Sequence, residues 1–163
     1  MSERVEKLIE AYPQMLREQK CLTHQLAHFR GFTTSEVIDS MYTPRQDGER
    51  VQTSGVSDKT AQIALNYRDR MERMNREWYA HLERKLVCLT DEIAFFESAL
   101  HSLSGELPVI MWDLVVEAMT WDAVADLHHM SRANIGRLRK RAISELDELY
   151  REHDREAAAY MLE

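Results

Sequence analysis

One short stretch near the C-terminal end carries the most distinctive chemistry of this chain. From Ser131 to Arg141 there are four arginines (Arg132, Arg137, Arg139, Arg141), one lysine (Lys140), one asparagine (Asn134) and no acid. A guanidinium is a rigid fork of donors that matches two neighbouring acceptors, as on the edge of guanine. An asparagine amide matches the donor–acceptor pair of adenine in the same way. Lysine and further arginines suit phosphate, which contributes affinity and not sequence choice. A basic run alone is most often a solvated helix face, so the elements that hold it decide its meaning.

Those elements read as three helices between Leu107 and Leu149. The first, about Pro108 to Ala118, turns Ile110, Leu114 and Val115 to one side. Thr120 is placed to cap a short second helix, Trp121 to Leu127, with Trp121, Val124, Ala125 and Leu127 facing inward. His128, His129 and Met130 make a turn. Ser131 then caps a third helix running to Tyr150 or beyond, whose Ile135, Leu138, Ala142, Leu146 and Leu149 recur every three or four residues as a buried face. A small residue such as Ala125 suits two helices crossing at a steep angle. The opposite face of the third helix carries Arg132, Ala133, Asn134, Gly136, Arg137, Lys140 and Arg141. A short helix, a tight turn and a capped basic helix is the arrangement by which helix-turn-helix proteins lay a helix in the major groove.

The rest of the chain is helical in pattern. With 5 Gly, 3 Pro and 8% aromatics there is little turn or sandwich chemistry, while 44% hydrophobic residues suffice for a core. Val5, Leu8, Tyr12, Met15, Gln19, Leu22, Leu26 and Phe29 form a heptad-like stripe ended by Gly31, with a kink or short break expected at Pro13. A short helix is expected over Ser35 to Met41, turn material at Thr43–Gly48, and a polar linker to Gly55. Ser57 then offers a cap for a long helix carrying Ala64, Tyr67, Met71, Met74, Trp78, Leu82, Leu86, Leu89, Ile93, Phe96 and Leu100. The three consecutive four-residue steps from Met74 to Leu86 form a stutter that locally unwinds a supercoil. The expected fold is all-α: residues 1–104 as a coiled helical hairpin with a loop at about 31–56, and 105–163 as a helix-turn-helix domain.

The net charge of −7 argues against nucleic acid as a whole-chain property, yet the negative charge lies outside Ser131–Arg141. Cys21 and Cys88 lack ligand-like spacing and read as reduced, half-buried thiols. No apolar run has membrane-spanning length and no signal peptide is recognisable, which points to the cytoplasm, on the nucleoid when bound. His128 and His129 are adjacent in a turn, and His81 and Cys88 lack a third ligand partner, so no metal site, cofactor or catalysis is expected.

Thr120–Ala125, then Ser131–Ile135 and Leu138–Ala142, resemble the fourth conserved region of bacterial sigma factors. The longer arrangement, including Gln52–Ala61, resembles a family of phage and prophage proteins from Gram-positive bacteria, similar to ArpU/RinA-type late transcription regulators. That resemblance implies sequence-specific binding of double-stranded DNA and transcription regulation, with Arg132, Ala133, Asn134, Gly136 and Arg137 at base- or backbone-contacting positions. Ala133 stands where sigma factors commonly have an acid, so their base preference does not transfer. On the residues themselves, Ser131 serves as cap, Arg132, Asn134 and Arg137 face bases, and Arg139, Lys140 and Arg141 lie nearer the phosphates. A homodimer through the hairpin is expected. A small terminase-like DNA-packaging subunit remains an alternative, as does a module docking on RNA polymerase. A complete sigma factor is not expected, because the N-terminal aromatics occupy heptad positions.

Overall fold

A computed structural model describes residues 3–42 and 56–162, and every regular element among them is helical. Six α-helices follow in order: α1 (Glu3–Ala27), α2 (Thr34–Tyr42), α3 (Val56–His101), α4 (Leu107–Met111), α5 (Trp121–Leu127) and α6 (Arg132–Met161). A π-helical turn, Trp112–Val116, continues directly from α4. The all-α class read from composition is thus found. The turn and linker expected at Thr43–Gly55 lie outside the described residues. α3 starts at Val56, which places Ser57 inside the first turn and not before it. No described helix is long and apolar enough to cross a membrane.

The packing divides at other positions than residue 104. Residues 1–20 and 88–163 form one compact unit, and 21–87 form a second. The composition break at Ser102–Gly105 is a tight corner within the first unit, where Gly105 takes a φ of +59°.

In the first unit, the opening of α1 lies antiparallel to the end of α3. The Tyr12 hydroxyl donates to Glu97 at 2.5 Å, Gln19 donates to Thr90 at 3.1 Å, and the Tyr12 ring lies 5.4 Å from Phe96. α1 is unbroken through Pro13, so the short break offered as one expectation is not found. Pro13 itself is exposed, and Tyr12 and Met15 stay buried on either side of it. The main core joins Val5, Tyr12, Phe96, Leu100 and Leu103 to Leu107, Met111, Val115, Ala142, Ile143, Leu146 and Tyr150. Helix α6 is therefore held by residues from both chain ends.

The second unit buries Leu22, Val37, Ile63 and Leu82 and carries several polar and aromatic pairs. Thr33 and Glu36 cap α2 reciprocally: the Thr33 N–H donates to Glu36 at 2.8 Å and the Glu36 N–H to Thr33 Oγ1 at 3.4 Å. These bonds from Thr33 hold the Glu36 carboxyl below its ordinary range. Gly31 has a φ of +49°, and a Cβ there would lie 2.6 Å from Asn75, whose Oδ1 accepts from the Phe32 N–H at 2.6 Å. Glycine is required at this point by both conformation and space. It lies four residues beyond the end of α1, so it shapes the connection and does not terminate the helix. Phe29 meets Tyr79 edge-on at 5.2 Å, and Phe32 lies 6.2 Å from Trp78. Within the long stripe Ile63 is buried where Ala64 was expected, and Trp78 remains 43% exposed. Cys21 and Cys88 are exposed free thiols, not half-buried ones.

Candidate nucleic-acid interface

Local chemistry fixes both helices of the candidate site. Thr120 is extended and its hydroxyl accepts from the Ala123 N–H at 3.2 Å, which starts α5 at Trp121. Ser131 does the same for α6, accepting from the Asn134 N–H at 3.2 Å. Each cap satisfies one of the orphan donors of a helix start.

The turn between them closes by paired backbone bonds. Met130 N–H donates to Ala125 O at 2.9 Å and His129 N–H to Asp126 O at 3.3 Å. This is a Schellman-type end with His129 as the left-handed residue, at a φ of +52°. Such a conformation costs a non-glycine residue roughly 1–2 kcal/mol. His129 is exposed and contributes little packing. His129→Gly should accordingly raise stability by about 1 kcal/mol in urea denaturation; an unchanged or lowered midpoint would count against the turn geometry.

His128 behaves otherwise. Its Nε2 lies 2.6 Å from Asp113 Oδ2, with both side chains mostly buried, so it ties the turn to the π segment. The sequence placed His128 in the turn and did not foresee this partner. Asp113 O also accepts from the Met119 N–H at 2.9 Å, closing the end of the π segment. Among the described residues no group of three or more His, Cys, Asp or Glu is arranged to hold a metal ion.

Beneath the turn lies a second core of Ile110, Val124, Ala125 and Ile135, flanked by Leu114, Met119, Met130 and Leu138. Two residues expected inside it are not: Trp121 is 38% exposed and Leu127 56%. The buried face of α6 also differs from the expected one. Leu149 is exposed, and Ile143 and Tyr150 are buried instead.

At about 100° per residue, Ile135 and Ala142 occupy one side of α6, and Ala133, Arg137, Lys140 and Ser144 the other. Ala133, Arg137 and Lys140 are exposed as expected. Asn134 is half-buried: its Nδ2 lies 3.4 Å from Met130 Sδ, and its Oδ1 accepts from Arg137 at 3.3 Å. Arg132, Gly136 and Arg139 lie on the flank toward α5. The Arg132 and Arg139 guanidinium carbons are 6.0 and 5.9 Å from the Trp121 ring centre, and a Cβ on Gly136 would lie 3.3 Å from the indole. The close approach that Gly136 permits within the chain is thus to Trp121. Arg132 also reaches Asp122 at 3.4 Å.

Arg141 is engaged within the protein. It donates to Ser104 Oγ at 2.8 Å and Glu145 Oε1 at 3.1 Å. Ser104 donates to the same carboxylate from its hydroxyl at 2.6 Å and its N–H at 3.0 Å. Those Ser104 bonds, with Arg141 alongside, hold the Glu145 carboxyl below its usual range. Arg141 therefore braces α6 against the α3–α4 corner, and Arg137 with Lys140 makes up the outward cationic strip. No family model, curated protein or solved structure matches the chain.

Proposed function

We propose that this chain binds double-stranded DNA sequence-specifically through α6, as a transcription regulator of the phage or prophage type. The observation that carries the reading is the acid-free opening of α6, residues 132–141, on a helix that is capped at Ser131 and fixed by a tight turn to a second capped helix. In this reading the pair is a helix-turn-helix. Ala133 and Arg137 meet base edges, Asn134 orders Arg137, and Lys140 meets phosphate. The likeness of Thr120–Ala142 to the fourth region of sigma factors supports the regulatory role. A second copy joined through the N-terminal helices, where Trp78, Tyr79 and Val87 are exposed, would set two such helices on half-sites about 34–36 Å apart or a multiple of it.

The test is selection from a pool of random duplex DNA across a salt series, comparing the wild type with Arg137→Ala. One enriched sequence is expected, with affinity falling steeply as salt rises. Arg137→Ala should cost about 1–3 kcal/mol of discrimination at one base position. Symmetry of the enriched site would report the dimer. Absence of binding at low salt would overturn the reading and make α6 a protein-docking surface, with RNA polymerase the first partner to try.

A further inference from the structure

Trp121 is a large aromatic side chain left partly in water on the first turn of α5, against the flank of α6. It lies over Gly136, where a Cβ would stand 3.3 Å from the ring. Glycine inside a helix is unfavourable relative to alanine, so a local rule is broken here to seat an indole that is not fully buried. Arg132 stands one turn before Gly136 and Arg139 one turn after, each with its guanidinium near the outer range of cation–π attraction to the same ring.

We propose that Trp121 is a positioning residue for phosphate contact: its indole, seated on Gly136, holds Arg132 and Arg139 for two phosphates of one DNA strand. The inference rests on the DNA-binding reading of α6 and adds a second edge to it. The outward strip of Ala133, Arg137 and Lys140 addresses the groove, and the Trp121 edge addresses the adjoining backbone. A flat ring between two long cationic side chains limits their rotamers before binding, which lowers the ordering cost when phosphates arrive. Asp122 is the acid that pairs with Arg132 at this edge. Its long, exposed pair with Arg132 is weak enough to exchange for a phosphate.

The experiment measures affinity of the full chain for its selected duplex against salt, using Trp121→Leu, Trp121→Phe, Gly136→Ala and the double variant Arg132→Gln/Arg139→Gln. Each phosphate contact contributes about 0.9 to the slope of log affinity on log salt. Trp121→Leu and the double arginine variant should each weaken binding about tenfold or more and flatten the slope by roughly 1.8. Combining them should add little further loss, and Trp121→Phe should restore most of the slope. Gly136→Ala, whose new methyl would lie 3.3 Å from the indole and press it outward, should weaken binding and flatten the slope while the helical circular dichroism is kept. If the wild type binds its site and both Trp121→Leu and Gly136→Ala keep its slope, the inference falls and the DNA-binding reading stands. A wild type that binds no duplex overturns both.

Discussion

Excised as residues 105–163, the C-terminal helices should fail to fold, giving weak helical circular dichroism and no cooperative melt. Eight of the fifteen buried residues of the main core come from outside that fragment: Val5, Tyr12, Met15, Ile93, Phe96, Ala99, Leu100 and Leu103. What remains is a short chain without the partners of Ala142, Ile143, Leu146 and Tyr150, and chains of this length are marginal even when complete, burying only about 60% of the surface that the unfolded chain exposes. The same point can be made by one substitution in the full chain. Phe96 is 1% exposed and stacks at an angle on Tyr12, so Phe96→Ala should cost about 3–5 kcal/mol in urea denaturation. Because α6 shares that core, the proposed DNA binding should weaken at temperatures where the wild type is fully folded. A fragment that melts cooperatively near the full-length temperature would show that residues 105–163 stand alone after all.

The second large effect is expected at Ala125. It is 6% exposed among Val124, Ile110 and Ile135, and its own carbonyl accepts the bond that closes the turn. Ala125→Leu adds three carbons where α5 crosses α6, with a rigid turn on one side and a small core on the other. Overpacking of this kind costs typically about 1–3 kcal/mol, and here the strain has one direction of release, a wider angle between the two helices. Binding should fall more than stability, because the wider angle shifts Arg137 and Lys140 against any fixed groove. Ala125→Gly is the control: it loses about 1 kcal/mol of helix propensity and leaves the crossing open. Equal binding losses in both variants would count against a steric role for this position.

Where structure follows from neighbours in sequence, the sequence was legible. Thr120 and Ser131 start their helices at the expected residues because a cap is a bond over three positions, and the composition of the chain was enough to predict an all-α class. Faces were less so. Counting sevens from Ile135 through Ala142 to Leu149 drifts about 40° backwards, since an α-helix turns every 3.6 residues and not 3.5, while the buried Leu146, Tyr150 and Ile143 lie on the other side of the Ile135 line. The core follows the straighter line through Leu146, with Ile143 and Tyr150 beside it. Trp121 read as an inward aromatic, whereas its ring sits partly exposed over Gly136, a pairing of two helices that no local pattern carries. The polar corner at Ser104 read as a boundary in composition, but the phenylalanine and leucines that cross it are distant in sequence from α6. No periodicity could have found the Asp113–His128 pair, because it depends on the π turn between α4 and α5.

That π turn has a meaning for chain length. It holds five residues per hydrogen-bonded step, as Glu117 N–H to Trp112 O shows, which is one more than an α-helix needs. A helix in this state has absorbed an inserted residue without breaking. Losing one residue between Trp112 and Val116 would restore ordinary winding and abolish the wide turn on which Asp113 meets His128. The pairing of Asp113 with His128 thus depends on the count of residues in this turn and not only on their identity.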